Sequence, residues 1–414
     1  MFTLISDLYS VERLCFNLVV IRKGLLLKIH DAASMQRWND KIRPVELREL
    51  DKQAHKMIIA YVLGKFEEGD PSFDWVEVIE GGLFEFLQRI VLTDLKPQIF
   101  HRIREDASRY RQLNEWVYDQ LRPIISPLGA DFCERFRAFF TVPEEDVNRR
   151  ILSAAHFYAT KWEFDIIERA NPRGYEIEKI RHDLEAKQER YYDLKGSQAL
   201  ALYSNLRNFA DLCGQLRFQL RWAHLHRVPR TSVLGHTLIV ALLSYLLSRE
   251  MGACRKRCYN NYFTGLFHDL PEILTRDIVH PVKKSVGGLD SLIKEYEKER
   301  MEEEVYNLIP HAWHREMRMF TEIEFESVVV IEDRQVPKTS EEISAYFNAD
   351  EYDPRDGEIV QAVDHLAAFL EAYLASANGM KAQDFEQTKA GLKQQYRGKN
   401  IAGLQFGEIY SDFE

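Results

Sequence analysis

Glycine and proline are scarce, 20 and 13 among 414 residues. That scarcity argues against a turn-rich β architecture and for long helices. An excess of basic charge is also lacking. Lys and Arg number 55 against 65 Asp and Glu, a net charge of −10, so binding to a nucleic-acid polymer, which needs a cationic face, is not expected. A small phosphorylated ligand is not excluded, because a few local cations and a metal can offset the global field. No run approaches 18 uncharged apolar residues, and Asp7, Glu12 and Arg13 interrupt the apolar N-terminal stretch. Neither a membrane span nor a signal peptide is therefore expected. The five cysteines are odd in number and scattered. Cys254 and Cys258 in "CRKRC" stand one helical turn apart, but with no second pair they make a poor metal site. A reduced, cytoplasmic protein is the better expectation.

What is present is helical periodicity, and the expected fold class is all-α. The chain exceeds the usual size of a single core, so two domains are expected. "SVLGHTLIVALLSYLLSREMG" carries a broad apolar face and ends on Gly252, a candidate C-cap. "DGEIVQAVDHLAAFLEAYLASANG" is a second strong helix that stops at Asn378-Gly379. Residues 174 to 226, opening "GYEIEKIRHDLEAK", suggest one or two long helices, the first part charged and solvent-exposed. "ESVVVIED" is the best of few strand candidates.

A repeat organises the chain. "GLFEFLQRIVLTD" (82–94) and "GLFHDLPEILTRD" (265–277) share Gly82 with Gly265, Leu83 with Leu266, Phe84 with Phe267, Leu87 with Leu270, Ile90 with Ile273 and Asp94 with Asp277. Upstream, His55 precedes Glu85 much as His236 precedes His268. Downstream, "ILSAAHFYATKWEF" aligns with "IVQAVDHLAAFLEA" and sets His156 opposite Asp364. The order of the three motifs suggests an internal duplication into two helical bundles, 1–180 and 181–414.

The second half supplies His236, the adjacent pair His268-Asp269, and Asp364, each in an apolar helical run. Burying such groups is costly unless they are paired or bind a metal. Two imidazoles and two carboxylates suit a divalent transition ion, Mn, Fe, Co, Ni or Zn. A lone His on an apolar face is more commonly a satisfied core residue, so spacing alone leaves both readings open.

The ordered set "GHTLIVALLSYLL…FTGLFHDLPEILTRDIVHPVKK…IVQAVDHLAAFLEAYL" resembles the HD-domain metal-dependent phosphohydrolases, and within them the bacterial 5′-deoxynucleotidase type. The resemblance covers about 221–310 and 355–380. It implies two HD-like bundles, with one divalent metal held by His236, His268, Asp269 and Asp364. It further implies that Glu272 holds or deprotonates the attacking water, and that Asp277 orients that water or protonates the leaving oxygen. The ordinary alternative for Asp277 is a helix cap or salt-bridge partner. In "LRWAHLHRVPRTS", Arg221 would contact a substrate phosphate and Trp222 its sugar or base. Lys283 in "HPVKK" is a weaker phosphate candidate; His224, His226 and His280 are not expected to be ligands.

The first half departs from this pattern. Glu85-Phe86 stands where the metal helix has His-Asp, and Arg89 stands where Glu272 does. A degenerate bundle is expected there in preference to a three-ligand site of His55, Glu85 and His156. Its duty would be to shape the pocket, dimerise or sense a ligand. The expected activity is hydrolysis of a nucleoside 5′-monophosphate, with a nucleotide as small-molecule partner and a homodimer as a possible assembly. Two alternatives stand beside it: phosphodiester or cyclic-nucleotide hydrolysis, and a non-catalytic nucleotide-binding scaffold. The tail "KNIAGLQFGEIYSDFE" is too apolar to be free and should dock on the body or on a second subunit.

Overall fold

The computed structural model describes residues 20–93, 95–141, 146–276 and 288–413. Asp94, Asp277, His280 and Lys283 lie outside the described residues.

The first half runs through α1 (Lys23–His30), α2 (Glu49–Gly64), α3 (Trp75–Leu92), α4 (Pro97–Glu105), α5 (Ala107–Ile125), α6 (Ala130–Phe139) and α7 (Val147–Ala170). A connecting stretch follows: α8 (Ile177–Gln188), α9 (Lys195–Leu202) and α10 (Ser204–Gln215). The second half contains α11 (Val233–Glu250), α12 (Arg255–Phe267), α13 (Glu272–Thr275), α14 (Leu289–Arg300), α15 (His314–Thr321), α16 (Ser340–Tyr346), α17 (Gly357–Ala377), α18 (Gln383–Tyr396) and α19 (Phe406–Ser411). Among the described residues the only sheets are two antiparallel hairpins. β1 (Val328–Ile331) pairs with β2 (Arg334–Pro337), and β3 (Asn400–Ile401) with β4 (Leu404–Gln405). The protein is all-α in class, and β1 coincides with the expected strand "ESVVVIED".

Two helices are submerged. Every residue of α2 is buried, and so is nearly every residue of α11. α11 is long and apolar enough by composition to cross a bilayer, and 89% of it is covered by the protein itself. Its sides are taken up by α2, α12 and α17. α2 is flanked in turn by α3 and α7. One apolar cluster, from Ile21 to Phe413, runs through both halves.

A half-buried carboxylate joins the halves. Glu316 on α15 accepts hydrogen bonds from Tyr61 of α2 and Tyr259 of α12, both at 2.8 Å. Lys65 lies 3.2 Å away and holds that carboxylate below its ordinary range against the opposing effect of burial.

Three local expectations need correction or completion. The stretch 174–226 is broken into α8, α9, α10 and flanking turns rather than one or two long helices. Tyr203 is extended (φ −101°, ψ 107°) between α9 and α10. Gly196 lets α9 approach the backbone of Leu63, which a Cβ would meet at 2.6 Å. The His268-Asp269 pair lies not within a helix but just past the end of α12, in a turn that leads to Pro271. Proline disfavours helical geometry in the preceding residue and offers no N–H to continue the ladder. The apolar tail docks on its own chain. Ile401, Leu404, Phe406, Ile409 and Tyr410 are buried, and the Tyr410 ring stacks on Tyr396 of α18 at 5.4 Å.

Gly252 and Gly379 both adopt positive φ just beyond their helices, as the capping residues of α11 and α17 should. Cys254 and Cys258 are free thiols pushed up to about 11 and about 12 by burial, which disfavours the thiolate that a metal needs.

Candidate functional site

The site forms where α11, the end of α12 and α17 meet. His236 lies one turn into α11, His268 and Asp269 follow α12, and Asp364 lies two turns into α17. One ligand atom each from His236, His268 and Asp364 lie within 4.8 Å of one another. His236 Nε2 is 2.9 Å from Asp364 Oδ1. Asp269 joins at the rim, with Oδ1 3.3 Å from His268 Nε2 and Oδ2 3.8 Å from His236 Nε2. Three of the four residues proposed as ligands converge on one point, and Asp269 stands beside them against both histidines.

Close helix packing sets this geometry. Gly265 sits against the backbone of α11, where a Cβ would lie 2.8 Å from the Ala241 Cα and N atoms. Only glycine allows that approach, and His268 follows three residues later. On the other side, Arg257 of α12 makes a fully buried bidentate pair with Asp356, Nη2 standing 2.8 Å from Oδ1. Asn261 also donates to Asp356 at 3.0 Å. Asp356 begins α17, so the pair fixes the helix that carries Asp364.

The rings are aimed. His268 Nδ1 lies 2.9 Å from the Gly265 carbonyl, which directs Nε2 toward the carboxylates. His236 Nδ1 lies 3.6 Å from Glu371 Oε1, leaving its Nε2 on the Asp364 side. Among the described residues, buried His268 Nε2 and Asp269 Oδ2 have no hydrogen-bond partner. A buried lone pair beside an unsatisfied carboxylate oxygen fits a cation better than it fits a closed hydrogen-bond network. The donor set suits one divalent ion held by His236, His268, Asp269 and Asp364.

The electrostatics carry the same stamp. Burial disfavours the charged form of His268, but the Asp269 and Asp364 carboxylates outweigh it and bring the imidazole up to about 9. Burial opposes ionisation of Asp269 as well, and the facing imidazoles hold it below its ordinary range. A centre that stabilises positive charge on imidazole also stabilises a metal ion.

The neighbouring positions are placed as follows. Glu272 opens α13, and its N–H bonds the Asp269 carbonyl at 3.1 Å, so it lies one turn beyond the pair. Arg221 reaches the site from the segment before α11, Nη1 lying 3.6 Å from Asp269 and Nε 3.3 Å from Glu371. Trp222 donates its indole N–H to Glu371 at 2.8 Å, and its half-buried ring packs on Phe385 at 5.3 Å. His224 contacts Asp384 at 3.3 Å, away from the centre.

Two residues escaped the sequence reasoning. Glu371, wholly buried, gathers Trp222, Arg221, His236 and Arg227 around one carboxylate. Its position seven residues after Asp364 puts it on the same face of α17, a periodicity the sequence does show. Glu324 lies close enough to sense the charges of His268 and Asp269, and burial raises its carboxyl. Nothing in the sequence links it to the centre. It arrives on a loop clamped by Arg355, which donates to the carbonyls of Met319, Ile323 and Glu326.

The corresponding positions of the first half are otherwise engaged. His55 Nε2 bonds the Ala210 carbonyl at 2.8 Å, Glu85 pairs with Lys56, and His156 meets Lys52.

Residues 213–392 match the family model described as HD domain, a span that contains every described residue of the centre. No curated protein matches the chain.

Proposed function

From the premise that residues 213–392 are an HD domain, which implies metal-dependent phosphohydrolase chemistry in general, we propose a phosphomonoesterase. Its substrates are nucleoside 5′-monophosphates, deoxynucleotides foremost. The observation that carries this reading is the convergence of His236, His268 and Asp364 within 4.8 Å, with Asp269 beside them. A divalent transition ion bound there supplies a Lewis acid and brings the pKa of water down toward about 7.

The chain's own groups divide the remaining work. Glu272 receives the proton of the attacking water from one turn beyond the ligands. Arg221 neutralises charge growing on the phosphoryl oxygens, its guanidinium held ready by Glu371. Trp222 lines the entry beside Arg221 and meets the sugar or base. Asp277 serves the leaving oxygen, and Lys283 adds a second phosphate contact. The duplicated first half is a degenerate copy without hydrolytic duty.

The test is phosphate release from a panel of ribo- and deoxynucleoside monophosphates, with cyclic nucleotides included, in the presence of Mn or Co. His268→Ala and Asp269→Ala should each abolish turnover. Undiminished rates in those variants refute the assignment, and turnover confined to cyclic nucleotides replaces the monoesterase with a diesterase.

A further inference from the structure

In the first half, the junction of α2, α3 and α7 carries the opposite charge pattern. Lys52 and Lys56 project from one face of α2 together with Glu49, following the i, i+3, i+7 spacing. Arg89 and Glu85 come from α3, and His156 and Glu163 from α7. Arg37 bridges Glu49 and Glu163 at 2.7 Å each, Arg89 lies 3.3 Å from Glu49, and Arg217 lies 3.0 Å from Glu163. Lys56 pairs with Glu85.

Lys52 is left over. Its side chain is wholly buried, its contact is the His156 ring, and it makes no salt bridge among the described residues. Among the groups in these contacts, five cations (Arg37, Lys52, Lys56, Arg89, Arg217) face three carboxylates (Glu49, Glu85, Glu163), and the buried Asp51 carboxylate also faces Arg217, so cations exceed carboxylates by one. Buried charge without a counterion is costly, and a network kept only for stability has no use for the surplus. Burial, with Arg37 and Lys56 nearby, drives the Lys52 ammonium well below its ordinary range, and the pull of Glu49 and Glu163 does not offset it. The junction is not sealed. His156 is exposed, and the Glu85 and Arg89 side chains are 27% and 29% exposed.

We propose that this junction is a second binding site, specific for a phosphate dianion, either inorganic phosphate or the phosphoryl group of a monoester, held by Lys52, Lys56, Arg89 and His156. The excess of cations over carboxylates favours an anion there. Ammonium and guanidinium groups arriving from separate helices suit a tetrahedral acceptor better than a planar one. The site does not depend on the proposed reaction, although phosphate is that reaction's product.

The experiment is equilibrium dialysis of labelled inorganic phosphate against the full-length protein, with thermal unfolding alongside. Wild type, Lys52→Met, Arg89→Gln and Asp269→Asn are compared. We expect phosphate to raise the melting temperature of wild type and of Asp269→Asn. Lys52→Met should unfold at a higher temperature than wild type without phosphate, having lost an uncompensated charge, and should lose one equivalent of bound phosphate. Arg89→Gln should bind at least tenfold more weakly. Displacement of the label from Asp269→Asn by a nucleoside monophosphate at lower concentration than by phosphate identifies a nucleotide; the reverse order identifies the free ion. If folded Lys52→Met and Arg89→Gln both bind as much phosphate as wild type, the site does not exist. Failure of the hydrolase reading leaves binding by Asp269→Asn untouched, so the two outcomes are separable.

Discussion

Glu371 Oε1 stands 3.6 Å from His236 Nδ1, on the opposite side of the ring from Asp364 Oδ1, which is 2.9 Å from Nε2. The imidazole is thus held between a carboxylate that orients it and one that shares its proposed metal. A carboxylate behind a metal-binding histidine fixes the tautomer and raises the basicity of the ligating nitrogen. Glu371 stands in that position while also anchoring Arg221 and Trp222, so the ligand cradle and the segment before α11 share one support.

Glu371→Gln keeps the shape and removes the charge. It should weaken metal affinity by about 10- to 100-fold, measured by titrating Mn into chelator-treated protein. Arg227, 2% exposed and 4.0 Å from Glu371, also loses a counterion, so the melting temperature should fall. Unchanged metal affinity would show that Glu371 is a structural counterion and nothing more.

Gly265→Ala tests how helix spacing governs the site. The new Cβ would press on backbone atoms of Ala241 at 2.8 Å, and backbone cannot swing aside as a side chain can. We expect a loss of about 1–3 kcal/mol of stability, read by urea unfolding, and a larger drop in kcat than in substrate affinity as His268 shifts. The control is Gly391→Ala in α18, where a Cβ meets nothing within 4 Å. There a gain of about 0.5–1 kcal/mol is expected from helix propensity alone.

These contacts show what the sequence displays and what it withholds. The all-α class, the ends of α11 and α17, and the short strand at Val328 follow from periodicity and capping glycines. The proposed ligands were legible through the resemblance of the ordered motifs, because histidine and aspartate in apolar runs by themselves leave a core reading and a metal reading both open. The support around them was not. Asp356 begins α17 beside "PRDGE", which looks like an ordinary turn, and its buried partner Arg257 sits in "CRKRC", which looks like a basic surface. Pairing two residues 99 positions apart needs the three-dimensional packing of α12 on α17. The helix assignment of His268-Asp269 failed locally, because the apolar spacing continues through Pro271 while the hydrogen-bond ladder does not.

Arg257→Met should be among the most damaging substitutions away from the centre. Asp356 would remain buried with two of its three side-chain donors gone, and breaking one side of such a pair typically costs about 3–5 kcal/mol. Chemical denaturation should show this loss, with the folded fraction at neutral pH retaining secondary structure by circular dichroism. A loss below about 1 kcal/mol would mean that the pair is dispensable for placing α17.

The acid sensitivity of the fold should trace partly to His55. Burial first, and then the Arg217 guanidinium 3.2 Å from its Nδ1, lower this imidazole from 6.5 to about 3. The unfolded chain therefore takes up a proton that the folded chain refuses throughout that interval. Stability tied to His55 is complete above pH 6.5 and is lost as pH falls toward 3, by about 1.4 kcal/mol for each unit once well below 6.5. His55→Gln removes the titration while keeping a side chain able to donate to the Ala210 carbonyl. The variant should be less stable than wild type at pH 7.5, and the gap should narrow by about 2 kcal/mol at pH 5, measured by urea unfolding at both values. A gap that stays constant would mean that His55 is protonated as readily in the folded protein as in the unfolded chain, and that its placement against Arg217 is wrong.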